Sequence, residues 1–381
     1  MTRPPSKASP AVREAALLKI LLIRLRLIGD VVLTTPLIRA LRRAYPAARL
    51  TYLVEPQAAP VVDANPHLDT VIVAPLLSGL ARWRADAALA VRVRRDRYDV
   101  VIDLHGGPRS SWLALATGAP VRIGYTVSGR SWMYTRRVAR PRGHRDRHSV
   151  RNQWDLIEAL LPGAPPPDPA SDPVEMPALA SAALRLDARL RGHGIEATHE
   201  LIVIHVGAGN PFRRWPESSF ADVAAALSAT QPNRRIILTT GPAQTLHAET
   251  VKRLATSLGA APERLVIMCD LELAELRSLA NRAALFIGGD SGPAHIASAG
   301  PVPMVVLYGP TTPAVWGPWR DPALVTEALG IGSLACRPCH QRVCEPGDFR
   351  CLRHIGAVEV VAAANRALAR DRSRTHASVR T

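Results

Sequence analysis

The segment LPGAPPPDPASDPVEMP, Leu161–Pro177, divides the chain into two stretches that read alike. Its prolines fix φ and remove amide donors, which excludes helix or sheet interior and makes it a linker. On either side, short apolar runs alternate with longer runs of helical spacing. Before it, KILLIRL, RLTYLVE, TVIVA and YDVVIDLHG read as strands, with helices at TPLIRALRRAYP and around Arg82–Arg97. After it, a helix around Ala178–Gly192 leads into ELIVIHVG, RRIILTTG, RLVIM, ALFIGG and PMVVLYG. This alternation predicts βαβ units on a parallel sheet, once per half. The expected fold class is α/β, two Rossmann-like domains facing across a cleft, with ligands at the carboxyl ends of the strands.

The longest apolar run, Leu17–Ile28, is interrupted by Lys19, Arg24 and Arg26. It falls short of the ~20 residues a spanning helix needs, and no small-residue cleavage site follows it. It reads as a buried strand in a cytoplasmic protein. Net charge is +16 over 381 residues, and it is uneven. Residues 1–170 hold 26 Lys and Arg against 13 Asp and Glu, while the remainder holds 22 against 19. A field of that strength draws anions to the first half: nucleic acid, an anionic membrane face or a phosphorylated substrate. Only 4% of residues are aromatic, and no stacking platform or recognition motif is present, so nucleic acid is the remote alternative. No G-x-G-x-x-G follows a strand and no P-loop occurs, which withdraws support from nicotinamide redox chemistry and P-loop phosphoryl transfer.

Four strand ends carry polar or glycine-rich chemistry. LFIGGDSGPAHIASAG (Leu285–Gly300) ends a buried strand at Gly288 and Gly289. Asp290 and Ser291 are N-cap types, and Pro293 suits a first helical turn. Free amides at such a turn hold phosphate oxygens, and His295 lies about one turn into the helix. An ordinary βα turn capped by Asp290 is the competing reading. HVGAGNPFRRWPESSF (His205–Phe220) opens the backbone at Gly207 and Gly209, and offers Arg213 and Arg214 to a diphosphate. Trp215 reads as a packing anchor. TTGPAQ (Thr239–Gln244) is a weaker third turn. In RLRLIGDVVLTTP, a lone acid, Asp30, stands at a strand end of the other half. A single carboxylate across a cleft from phosphate loops suits an inverting displacement, in which one base deprotonates an acceptor hydroxyl. A helix N-cap is the alternative role for Asp30.

Taken together and in order, these stretches resemble glycosyltransferase family 9, the ADP-heptose:lipopolysaccharide heptosyltransferases. The resemblance spans roughly Lys19 to Arg370 and includes GGDSGPAHIASAGPVPMVVLYGPTTPAVWGP and CRPCHQRVCEPGDFRCL. It implies a GT-B fold and transfer of heptose from ADP-L-glycero-D-manno-heptose to the inner core of lipopolysaccharide. No cofactor is implied beyond the donor substrate. The family's catalytic aspartate falls on Asp30, beside Gly29 on the acceptor side. Its basic residue before W-P falls on Arg213, where many members have lysine. Its diphosphate loop falls on Gly289, Asp290, Ser291, Gly292 and His295, with Gly207 nearby. The position of its ribose-binding glutamate falls on Gln244. Arg130, Arg136, Arg137, Arg140 and Arg142 are expected contacts to a phosphorylated lipid A–core acceptor at the anionic inner face of the inner membrane.

The division expected on these grounds is a flexible N-terminus (1–16), an acceptor-binding domain (17–170) and an ADP-sugar-binding domain (171–356). A C-terminal helix is expected to pack back on the first domain and lead into a basic tail (357–381). Another donor sugar or acceptor within the family is the alternative function. Cys336, Cys339, Cys344 and Cys351 follow C-x₂-C-x₄-C-x₆-C, with His340 nearby. The spacing lacks the long separation of paired zinc knuckles, so a reduced structural loop is expected and no metal; a structural zinc on the four thiolates is the alternative.

Overall fold

The apolar runs form two parallel six-stranded sheets. The first contains β1 (Lys19–Ile23), β2 (Arg49–Val54), β3 (Thr70–Val73), β4 (Val100–Asp103), β5 (Val121–Tyr125) and β6 (Arg136–Val138), in the order 3-2-1-4-5-6. The second contains β7 (Glu200–His205), β8 (Arg234–Thr239), β9 (Leu265–Ile267), β10 (Leu285–Gly289), β11 (Met304–Tyr308) and β12 (Thr326–Gly330), in the order 12-11-10-7-8-9. Both orders describe one doubly wound topology. Strand order reverses between β1 and β4, and again between β7 and β10, and such reversals open a crevice at the carboxyl edge. The computed structural model describes residues 18–140, 146–337, 339 and 341–378.

Each sheet is buried on both faces, which is why its central strands read as unbroken apolar runs. Along β1, Ile20 and Leu22 enter one core while Leu21 and Ile23 enter another. Along β7, Ile202 and Ile204 face one core, Leu201 and Val203 the other. β5, VRIGY, and the short edge strands β6 and β12 escaped the sequence reading. β6 is RRV with both arginines exposed, and β12 is TEALG with one buried residue, so neither carries an apolar signal.

The helix Ala357–Ser378 does not return to the first domain as expected. Val360, Ala363, Ala364, Ala367 and Leu368 enter the core of the second sheet, and Arg366 and Arg370 pair with Glu327 on β12. The small residues of its inward face let it lie close against β10, β11 and the helix Glu217–Ala229.

The proline segment stays with the first domain further than the expected boundary at 170. Val174 and Met176 enter the first core. Arg43 binds Asp172 at 2.9 Å, and Arg39 pairs with Glu175. The lobes meet directly beyond it: Leu276, Ile296 and Trp319 of the second domain join the first core. Trp319 Nε1 donates to the Asp172 carbonyl at 2.8 Å, and Arg277 Nε to that of Met176 at 2.8 Å. The expected loose N-terminus, 1–16, and the end of the basic tail, 379–381, lie outside the described residues.

Candidate active site

After β1 the chain turns sharply at Leu27, whose φ of 70° lies in the left-handed region that L side chains rarely adopt. The helix Ile28–Val32 then begins, with Asp30 buried in its first turn. Asp30 is not a cap: Leu27 holds that position, and no side chain caps the helix. The Arg24 guanidinium grips Asp30 Oδ2 and also donates to the Leu104 carbonyl at 2.7 Å, just past β4. The carboxylate therefore stands in the crevice between β1 and β4.

The second wall is built at the corresponding crevice, between β7 and β10. Gly289 ends β10, and a Cβ there would come within 3.1 Å of the Arg213 carbonyl oxygen, so glycine lets the two loops touch. Asp290 again does not cap; Ser291 takes the N-cap position of the helix Gly292–Ser298 without a side-chain cap bond. The Asp290 carboxylate instead meets Arg213 Nη1 at 3.2 Å and His295 Nε2 at 3.4 Å. Burial pushes this carboxyl up, but His295 and Arg213 outweigh burial and hold it below the usual carboxylate range. Arg213 Nε also donates to Gln341 Oε1 at 2.8 Å. At the end of β8, Gln244 Nε2 donates to the Ala208 carbonyl at 2.8 Å. A Cβ on Gly207 would lie 2.6 Å from Gln244 Oε1. Gly207, Arg213, Gln244 and the Gly289–His295 turn are thus brought to one edge. Ser291 Oγ and His295 Nδ1 are buried there with no hydrogen-bond partner among the described residues, as donors and acceptors awaiting a polar ligand would be.

The walls flank a cleft of about 600 Å³ lined by Arg24, Asp30, Tyr125 and Arg140 from one domain and by Thr311, Arg337 and Gln341 from the other, among others; Gly207, Arg213, Gln244 and the Gly289–His295 turn are not among its lining residues. They also touch. A Cβ on Gly29 would fall 2.6 Å from His295 Cδ2, and one on Gly292 would fall 3.1 Å from Ile28 Cβ. Gly29, expected on the acceptor side, is therefore one of the points where the lobes touch.

Of the expected acceptor arginines, Arg140 lines the cleft with its guanidinium 4.6 Å from the centre of the Tyr125 ring. Arg130, Arg136 and Arg137 are not among the lining residues. Arg130 donates to the Gly106 carbonyl at 3.4 Å, and Arg136 to that of Ala159 at 2.8 Å. Arg142 lies outside the described residues. Sequence reasoning missed Arg24, Arg337, Gln341 and Thr311. Two signals were present: Arg24 stands six residues before the acid it holds, and GPTTP follows a strand with the same turn chemistry as the other loops.

The family model for glycosyltransferase family 9 (heptosyltransferase) matches residues 87–347. The chain belongs to glycosyltransferase family 9. A relative from Escherichia coli, lipopolysaccharide heptosyltransferase 3, is 27% identical, with 78% of this chain and 85% of that protein aligned. The crystal structure of a family 9 glycosyltransferase from Veillonella parvula superimposes with a TM-score of 0.77 at 25% identity, over 92% of this chain and 97% of that one. The E. coli ADP-heptose lps heptosyltransferase II superimposes with a TM-score of 0.74 at 18% identity, over 93% and 100%. The enzyme is a glycosyltransferase with the GT-B arrangement of two Rossmann-like domains.

In this glycosyltransferase Trp215 is the packing anchor expected: it is buried, donates to the Ile355 carbonyl at 3.1 Å and meets Phe220 edge-on. Cys336, Cys339, Cys344 and Cys351 are half-buried free thiols around a small hollow beside Phe212 and Phe349. Backbone amides of Gln341 and Phe349 donate to Cys339 and Cys344 sulfurs at 3.3 and 3.4 Å. Among the described residues no group of three or more Cys, His, Asp or Glu is placed to hold a metal ion; His340 lies outside them. The loop also reaches the second wall, since Gln341 accepts from Arg213.

His205, at the end of β7, is buried and shares a 3.0 Å contact between Nδ1 and Thr239 Oγ1. Burial pushes its pKa down to about 4. Between that value and the ordinary 6.5, the unfolded chain binds the proton and the folded enzyme does not, so stability rises with pH there. Lowering the pH from 7 to 5 is expected to cost on the order of 2 kcal/mol from this residue. Urea titrations at the two pH values measure the loss, and a His205→Gln variant should show a flatter dependence.

Proposed function

We propose that the enzyme transfers heptose from ADP-L-glycero-D-manno-heptose to the inner core of lipopolysaccharide with inversion at the anomeric carbon. The observation that carries this reading is the pairing of two crevices: a single carboxylate at one, and a cation-bearing glycine turn at the other, with the lobes in contact between them. Arg24 restrains Oδ2 of Asp30, and the carboxylate takes the proton of the acceptor hydroxyl. The hydroxyl oxygen forms its bond to the anomeric carbon from the face opposite the diphosphate. The bond between that carbon and the diphosphate oxygen breaks, and its electron pair leaves with ADP. Arg213 and the amides of the Gly289–Gly292 turn meet the charge that collects on the departing diphosphate. One acid residue is enough because the leaving group requires charge stabilisation rather than a proton. A double displacement with retention would need a second carboxylate as nucleophile.

Family membership supports the heptosyl donor, and the similar E. coli proteins support the lipopolysaccharide acceptor. Arg24, Arg140 and Arg337 make the cleft cationic, which suits an acceptor rich in phosphate and carboxylate at the inner face of the inner membrane. Incubation with ADP-heptose and a panel of truncated core acceptors, read by mass spectrometry, tests the reading. Addition of one heptose to a single inner-core acceptor with inverted stereochemistry is expected. Transfer only from another nucleotide sugar, or only to an unrelated acceptor, overturns it.

A further inference from the structure

Of the seven tryptophans, Trp154, Trp215 and Trp319 are buried and Trp316 is half-buried. The three that face solvent all lie on one layer of the first domain. Trp83 is in the helix Gly79–Arg95, Trp112 in the helix Pro108–Ala116, and Trp132 in the short turn Ser131–Met133 after β5. Trp83 is 73% exposed and Trp132 61%. This layer covers the face of the first sheet whose core contains Leu89, Val93, Leu113 and Tyr134. The second domain packs against the other face, through Leu276 and Ile296.

The helix Gly79–Arg95 is apolar on two sides. Leu89 and Val93 point inward. Leu80, Trp83 and Val91 are exposed, and their spacing with Ala87 puts them on one outward stripe. Leu76 and Leu77, just before the helix, are exposed too. The helix carries five arginines, and its one acid, Asp86, is buried and accepts from Arg109 Nε at 3.0 Å. Of the five, Arg82 pairs with Asp86 at 3.6 Å, and water meets leucine, tryptophan and an excess of guanidinium charge. An outward apolar stripe ringed by arginine and tryptophan fits the plane of an anionic lipid surface, where indole rings and arginine stems cross the headgroup boundary.

Position strengthens the case. Leu76, Leu77 and the first turn of the helix follow the carboxyl end of β3, and Trp132 follows that of β5. Asp30 follows the carboxyl end of β1, at the same edge of the same sheet. We infer that the layer carrying Leu80, Trp83 and Trp132 docks on an anionic phospholipid bilayer, setting the mouth of the cleft against lipid-borne acceptor. The inference deepens the proposed function and rests on its lipid-linked acceptor for purpose. The surface chemistry itself stands apart from the transfer reaction. Among the described residues no helix is long and apolar enough to cross a membrane, so contact of this kind is in the plane of the interface.

Flotation of the full chain with phosphatidylethanolamine–phosphatidylglycerol vesicles, against pure phosphatidylcholine vesicles, tests it. Binding to the anionic vesicles with a blue shift of tryptophan emission is expected, together with weaker binding as salt is raised. The double variant Leu80→Ser, Trp83→Ser should lose at least about tenfold in partitioning. Its turnover on a deacylated, water-soluble acceptor should stay at the parent value, which also shows that it is folded. Trp132→Ser supplies an independent second reading of the same loss. Unchanged partitioning in both variants overturns the inference. So does a homodimer, seen by sedimentation and dissolved by the same changes, in a protein that ignores vesicles. Normal transfer to the soluble acceptor in either case leaves the proposed function standing, whereas vesicle binding without any heptosyl transfer removes that function and keeps the surface.

Discussion

Asp30→Asn is expected to lower turnover about 10³-fold, within the range a positioned general base supplies. The substitution keeps shape and one acceptor oxygen, so Arg24 retains a partner and the turn after β1 keeps its form. It removes the capacity to take up the acceptor proton. The donor loops stand on the other domain, so affinity for ADP should change by less than about twofold, a difference too small to register as a lost hydrogen bond. Single-turnover rates with saturating donor, set beside calorimetric ADP binding, separate the two quantities. A variant with parental turnover removes Asp30 as the base. A variant that loses ADP binding in parallel would instead assign Asp30 to the packing of the lobes, where Gly29 already sits against His295.

Arg213→Ala is expected to reduce kcat/KM for the donor about 10²-fold, the usual cost of removing one group that stabilises charge in a transition state. The side chain is held from two directions, by Asp290 at 3.2 Å and Gln341 at 2.8 Å, so its guanidinium is poised before donor arrives. Arg213→Lys keeps the charge and should recover most of the rate. It cannot satisfy both partners with one ammonium in the same fork geometry, so a residual deficit of a few-fold is expected. Rates measured across donor concentrations for both variants decide the point. An alanine variant with parental kcat and KM discards the diphosphate role.

The contrast between Asp30 and Arg24 shows how far the sequence was readable. Asp30 could be placed at a strand end from the apolar run before it and the helical spacing after it. Its partner could not, because an ion pair across a tight turn depends on the left-handed backbone at Leu27, which local propensity does not announce. The Gly289–His295 turn was legible for the same reason as Asp30: glycines, an acid, a serine and a proline in that order have few other uses. Its internal wiring was not, since Asp290 satisfies Arg213 and His295 where a cap was the competing reading. Arg337 and Gln341 come from a loop whose cysteines drew attention to metal chemistry and away from the residues between them. The C-terminal helix misled because its alanine-rich face gives no hint of which sheet it will cover; the packing of small residues is decided by the space available against β10 and β11.

That helix placement has a mechanical consequence. With residues 357–373 seated on the second sheet, the described chain passes from one lobe to the other once, through the proline segment, and that segment is riveted to the first lobe by Asp172 and Glu175. Two crossings would act as a door on paired pins and confine motion to one axis. A single crossing, stiff up to Met176, leaves a swivel: the second half can twist as well as tilt over the first, and the glycine contact at Gly29 is a stop against which that rotation ends.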